Sequence, residues 1–416
     1  MKHDLIHDWN TFTGDEIPLG RRVMLNDETL RDGLQNPSVR DPSIGEKIEI
    51  LHLMESLGID TVNIGLPGAG PRAYADTEAL AREISTARMK IRPNCAARTV
   101  KADIKPIIEI SERVGFPIEA ATFLGSSPIR RLVEDWTVEH LQRTTEEAVK
   151  FAADAGLPVM YVTEDTMRTD PSTVITLYST AIRSGARAIV LCDTVGHATP
   201  RGAHNLVKFV IEEVVKPSGE KIRVDWHGHN DRGLAIANSL AAIAAGADQI
   251  HAAALALGER VGNTPMELML VNMRLLGLID QDLSKLKKYS EAVARATHTQ
   301  IPPNYPVVGR DAFRTATGVH AAAIVKAYKK GDQELANSIY SGVPSQLFGL
   351  EQIIEIGPLS GKSNVHYWLE KRGIPVTDEL IERIYNAAKK SERVLTDEEI
   401  LALTGPVAAR SQTPSR

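Results

Sequence analysis

Short apolar, β-rich segments recur along the chain at Val23–Leu25, Thr61–Leu66, Ile91–Ala96, Ile118–Leu124, Val159–Thr163, Ala188–Cys192, Arg223–His229 and Gln249–Leu255. Between them the apolar positions take helical spacing. Ile44–Leu57 carries Ile48, Leu51, Leu53, Met54 and Leu57, and Val138–Ala155 carries Leu141, Ala148, Phe151 and Ala152. Gly58, Gly115, Gly156, Gly185 and Gly246 follow such stretches, where a left-handed cap turns the chain back toward the next strand. Eight strand–helix repeats predict a (β/α)8 TIM barrel, an α/β fold. The alternative, a doubly wound open sheet, needs a glycine-rich phosphate turn after an early strand. The first strand here runs instead into the charged stretch Asp27-Glu28-Thr29-Leu30-Arg31-Asp32.

The pattern divides the chain into an N-terminal extension (1–20), the barrel (21–279), a polar linker helix and a proline-rich break (280–306), a smaller, mostly helical C-terminal subdomain (307–405) and a small polar tail expected to be disordered (406–416). A net charge of −5 over 416 residues implies neither a nucleic-acid-binding surface nor an acidic tail. No run approaches the ~20 apolar residues of a membrane span, and the first ten residues do not read as a signal peptide. Cys95 and Cys192 both sit in apolar stretches and read as free, buried thiols of a cytoplasmic protein.

Barrel active sites lie at the C-terminal ends of the strands. The first strand ends at Arg31-Asp32, and the seventh reads Asp225-Trp226-His227-Gly228-His229. Period-two alternation puts His227 and His229 on one side, and only the eighth strand separates them from Asp32. One carboxylate and two imidazoles, with Asn263 from the loop after strand eight as a fourth group, suit Mg²⁺, Mn²⁺ or Zn²⁺ with positions open for substrate. Histidines that hydrogen-bond structurally at the barrel mouth are the plainer alternative.

Six motifs in order then mark a family. Asp27–Gln35 resembles a DxTLRDGxQ opening, and His227-Gly228-His229-Asn230-Asp231 with Ala235, Ala237, Asn238 and Ser239 resembles HxHND…AxANS. Gly258–Asn263 resembles a GERAGN loop, and Asp193-Thr194-Val195-Gly196 with Thr199-Pro200 resembles DTVGxATP. Thr317-Gly318-Val319-His320 and Ser360-Gly361-Lys362-Ser363-Asn364 resemble two motifs of a C-terminal subdomain. Over roughly residues 22–375 the chain resembles the DRE-TIM metallolyases of the 2-isopropylmalate and homocitrate synthase type.

The resemblance implies an acyltransferase that condenses acetyl-CoA with a 2-oxo acid and hydrolyses the thioester to release CoA. The metal, on Asp32, His227, His229 and Asn263, would hold the oxo acid through its keto and carboxylate oxygens. Arg31 would meet the developing oxyanion. Gln35, Thr194 and Arg98 would bind substrate, and Glu259 and Gly262 would bind the cofactor side. Glu164, His320 and Tyr340 complete the catalytic set, the last two reaching a partner subunit's barrel, so a homodimer is expected.

Departures from the pattern bear on this expectation. Met160 stands where the family carries an acid on strand five, and Asn63 replaces a common Glu on strand two. The best substrate expectation is 3-methyl-2-oxobutanoate, giving 2-isopropylmalate. Homocitrate, citramalate or Re-citrate synthesis, a lyase reaction on 3-hydroxy-3-methylglutaryl-CoA, and a non-catalytic binding barrel are the alternatives. The loop Leu257–Asn263 lacks the cysteine of the lyases, and the extra subdomain also favours a synthase. Too few residues follow Ile374 for a leucine-sensing domain, so leucine feedback through one is not expected.

Overall fold

The computed structural model describes residues 21–405; the expected extension (1–20) and tail (406–416) lie outside them. Eight strands form a closed barrel in chain order: β1 (Met24–Asp27), β2 (Thr61–Asn63), β3 (Arg92–Arg98), β4 (Glu119–Gly125), β5 (Val159–Glu164), β6 (Ala188–Asp193), β7 (Arg223–Gly228) and β8 (Gln249–Ala252). All neighbours are parallel, and β8 closes on β1 through Met24–Gln249 to Asp27–Ala252. The strands are buried on both faces, as a parallel sheet wrapped by helices requires. Their outward faces meet an apolar layer that includes Leu51, Met54, Leu80, Ile104, Ile107, Leu141, Val149, Leu177, Val207, Ile243 and Met269.

Local chemistry starts and stops the helices where the sequence suggests. Ser43 and Glu46 form a capping box on Ile44–Ser56. Thr199 accepts from the Gly202 amide, with Pro200 in the first turn of Pro200–Val210. The Thr-Pro pair of the sixth-strand motif is therefore a helix start. Gly115 adopts φ +79° at the end of Lys101–Val114, the left-handed cap expected of it.

The chain divides into two compact units, with the division at Gln300–Ile301. The stretch expected to link them contains the helix Leu286–Thr297, which belongs to the barrel unit and is not polar throughout. Leu286, Tyr289, Ala292, Val293 and Ala296 are buried. The Tyr289 hydroxyl donates to Oδ2 of Asp27 at 2.5 Å. Asp27 is wholly enclosed at the end of β1, and burial pushes its carboxyl up to about 6.

In the C-terminal unit a two-stranded parallel sheet (Arg314–Thr315 with Ile353–Ile354) accompanies helices Gly318–Lys329, Gln333–Ser338, Lys362–Lys371, Asp378–Lys389 and Asp397–Thr404. Two apolar clusters hold it, one around Ala321, Ile324, Ala336 and Ile354, the other around Ile356, Trp368, Leu369, Ile384 and Ile400. No helix among the described residues is long and apolar enough to cross a membrane.

Tyr289→Phe removes the donor to a buried carboxyl. It should lower unfolding free energy by about 1–3 kcal/mol, read as a shift of the urea midpoint at unchanged m-value.

Candidate active site

The register brings Asn26, His251, His227 and Cys192 to one level of the barrel, on β1, β8, β7 and β6. One step nearer the mouth, the chain leaving β1 carries Glu28, Arg31 and Asp32. Asp32 Oδ2 lies 3.8 Å from His227 Nε2 and 3.7 Å from His229 Nε2, and the two Nε2 atoms are 3.3 Å apart. All three residues are buried. The loop after β8 folds back on β7, pairing Asn263 with His229. Gly262 makes that fold possible at φ +87°, since a Cβ there would overlap the Ala256 carbonyl. The loop in turn fixes Asn263, whose Nδ2 donates to Asp32 at 2.6 Å and to the Leu257 carbonyl at 2.8 Å.

The donor chemistry fits a divalent ion. Separations of 3.3–3.8 Å are below the ~4.2 Å that opposite ligands span on an ion with bonds of about 2.1 Å. His229 Nδ1 and Asn263 Oδ1 are buried without a hydrogen-bond partner among the described residues. Burial, reinforced by His229, holds the His227 imidazole down at about 3, and burial also lowers His229, so both rings are neutral near pH 7, as ligands must be. Burial opposes ionisation of Asp32, but Arg31 and the two histidines outweigh it and keep its carboxyl low.

A second trio, Glu28, His227 and His251, also lies within coordination distance, but its chemistry differs. His251 Nδ1 is 3.3 Å from Glu28 Oε1 and its Nε2 is 3.3 Å from Asp225 Oδ2. Although burial favours the neutral ring, these two carboxylates raise His251 to about 9. Arg31 lies 2.5 Å from Glu28. Protons and a guanidinium already neutralise this set.

A cavity of about 180 Å³ opens over the Asp32 group. Glu28, Arg31, Asp32, His227, His229 and His251 line one side. Opposite them, Ala121, Met160, Val190 and Cys192 belong to a buried apolar cluster on β4–β6, joined by Val162. Gln35, Glu164, Thr194 and Glu259 also border the space. Burial raises the Glu164 carboxyl. Thr194 Oγ1 accepts from the Asp165 amide at 2.8 Å, so it ties down its turn as well as facing the cavity. Arg98 does not join them. It lies at the end of β3, 67% exposed, with its guanidinium on Asp103 in the first turn of the next helix at 2.7 and 3.0 Å.

Several motif residues hold the frame. Asp193 accepts from the His197 and Ala198 amides, Asn238 donates to the Ala198 carbonyl, and the Ser239 and Thr264 hydroxyls meet at 3.0 Å.

Residues 22–293 match the HMGL-like family profile. The chain belongs to the HMGL-like family. A probable 2-isopropylmalate synthase of Methanopyrus kandleri is 33% identical over 374 residues, covering 89% of this chain and 70% of that one. The 2-isopropylmalate synthase of Methanocaldococcus jannaschii is 31% identical, covering 95% and 74%. Among solved structures, an HMG-CoA lyase of Bacillus subtilis superposes with a TM-score of 0.58 at 18% identity, covering 68% of this chain and 97% of the lyase. That likeness speaks for the fold alone.

In this HMGL-like chain the remaining two expected catalytic residues lie in the C-terminal unit. His320 and Tyr340 stack there with ring centroids 4.0 Å apart, and Tyr340 is half exposed. The two C-terminal motifs also meet: the Gly318 amide donates to the Leu359 carbonyl, and a Cβ on Gly318 would lie 2.7 Å from the Gly361 nitrogen. Glu28, His251 and Asp225 escaped the sequence reading. Their signal was there, in polar residues at period two on strands that are otherwise apolar: Arg223, Asp225 and His227 on β7, Gln249 and His251 on β8.

Because His251 has a folded value near 9 against 6.5 unfolded, the folded state holds the extra proton between these values. Its stabilising contribution is full below about pH 6.5 and is lost as pH rises through 9. The urea midpoint should therefore fall between pH 6.5 and 9 more steeply in the wild type than in His251→Gln.

Proposed function

We propose that the chain condenses acetyl-CoA with a 2-oxo acid bearing an apolar side chain and releases CoA, in the manner of a 2-isopropylmalate synthase. One observation carries the reading: the Asp32–His227–His229 group faces, across a single cavity, a wall of Ala121, Met160, Val162, Val190 and Cys192. A 2-oxo acid has a chelating polar end and a side chain, and the two halves of the cavity match them.

Asp32, His227 and His229 would hold a divalent ion, with Asn263, whose Nδ2 donates to Asp32, beside them; when bound, such an ion polarises the keto group. The chain's own residues supply the rest. Arg31 spends Nη1 on Asp32 at 3.1 Å and Nη2 on Glu28 at 2.5 Å, leaving a buried Nε–H without an acceptor among the described residues. Arg31 also borders the cavity, so its guanidinium is a fixed positive group beside an oxygen that gains charge as the new carbon–carbon bond forms. Glu164, with its raised carboxyl, is placed to exchange a proton at the cavity edge. Gln35, Thr194 and Glu259 border the same space, whereas Arg98 is committed to Asp103. The cations lining the cavity are also committed, Arg31 to Glu28 and Asp32, Arg260 to Asp231. A second substrate carboxylate finds no free partner among them, which disfavours 2-oxoglutarate and oxaloacetate.

The synthase reading also accounts for the extent of the relatives. The Methanocaldococcus synthase aligns over 95% of this chain, past the barrel and through the C-terminal unit. His320 and Tyr340 would then complete the barrel site of a second copy in a homodimer. Val319 and Leu359, near this pair in sequence or space, are exposed apolar side chains, and Tyr340 itself is half exposed, as an interface would require.

Thiol release from acetyl-CoA should require both a divalent cation and an oxo acid, with 3-methyl-2-oxobutanoate preferred over 2-oxoglutarate. Release from 3-hydroxy-3-methylglutaryl-CoA with no oxo acid, or turnover that survives exhaustive chelation, would defeat the reading. For the dimer, Arg31→Ala and His320→Ala should each be inactive alone and regain activity when mixed and allowed to exchange subunits. Mixtures as inactive as the separate variants would exclude a shared site.

A further inference from the structure

Six charged side chains form an unbroken series inside the barrel. Glu119 Oε2 lies 3.0 Å from Arg223 Nη2, and Arg223 Nε 2.9 Å from Asp225 Oδ1. Asp225 Oδ2 is 3.3 Å from His251 Nε2, and His251 Nδ1 is 3.3 Å from Glu28 Oε1. Glu28 Oε2 then meets Arg31 Nη2 at 2.5 Å. No side chain in the series is more than 20% exposed. Donors and acceptors alternate along it, and because carboxylates only accept, His251 donates from both ring nitrogens.

The far end of the series is what gives it a purpose. Arg31 is a long side chain that borders the cavity, so its aim depends on the carboxylates gripping its two Nη nitrogens. Glu28 is one of the two. Its remaining oxygen is held by Asn26 at 2.7 Å, by Asn63 at 3.4 Å and by His251. His251 is the charged member of these and the one that ties Glu28 to another strand's fixed carboxylate.

We propose that His251 is a positioning residue for the condensation: by bridging Glu28 to Asp225 it fixes the carboxylate that aims Arg31 into the cavity. The proposal rests on the reading that Arg31 meets the reacting oxygen. The bridge excludes the other use of the same atoms. A cation on Glu28, His227 and His251 would have to displace a hydrogen from His251 and settle beside a guanidinium 2.5 Å from Glu28.

A double-mutant cycle tests this, with His251→Gln and Arg31→Lys made singly and together. One amide cannot donate to two opposed carboxylates, so His251→Gln should lower kcat about 10–100-fold. The KM for the oxo acid and the bound metal per chain should stay unchanged. In the Arg31→Lys background the same change should cost nothing further, because the donor it aims is already gone. Multiplicative losses in the double variant, an unchanged kcat in His251→Gln, or a fall in metal content with the fall in kcat would each overturn the proposal. An unchanged kcat in Arg31→Lys alone would instead remove the reading of Arg31, and the proposal with it. Should His251→Gln not fold by circular dichroism, Glu28→Gln carries the same expectations at unchanged side-chain volume.

Discussion

Closure of the barrel between β1 and β8 is the constraint from which the site follows. Asp32 stands just beyond β1 and the two histidines at the end of β7, nearly two hundred residues later. Strands lie about 4.8 Å apart, so only the single intervening strand, β8, keeps these groups from adjacency. Inside a closed barrel their side chains converge above it. In an open sheet β1 and β7 would have no reason to face one another. The same closure encloses His251 between carboxylates from β7 and from the segment leaving β1, where none of the three could be buried unpaired.

The interior that results has two halves. On β7, β8 and β1 the inward positions are charged or polar and pair with one another. On β4, β5 and β6 the wall of the cavity is Ala121, Met160, Val162, Val190 and Cys192, with Glu164 at its edge. A small molecule entering the mouth meets a chelating, charged face and an apolar face a few ångströms apart. A molecule with one acidic end and one hydrocarbon end can satisfy both.

Function and family meet at this division. The family profile ends at residue 293, close to where the barrel unit ends. The relatives of named activity extend well past it, through the unit that carries His320 and Tyr340. The reaction class follows from the chain taken over its whole described length.

The sequence by itself determined a good deal. Strand positions, the helix-turning glycine caps, the Asp32–His227–His229 set and the two free thiols were all legible. They depend on period-two and period-3.6 patterning and on short motifs, which are local properties of the chain. The tertiary structure decided the rest, because the rest depends on which side chains from distant strands share a level. It turned Arg98 onto Asp103 and buried the helix at Leu286–Thr297 through Tyr289. It also gave Thr194 a turn to hold, and it joined Glu28, His251 and Asp225 into one series. No spacing along the chain encodes those meetings; they arise from the stagger at which eight strands close.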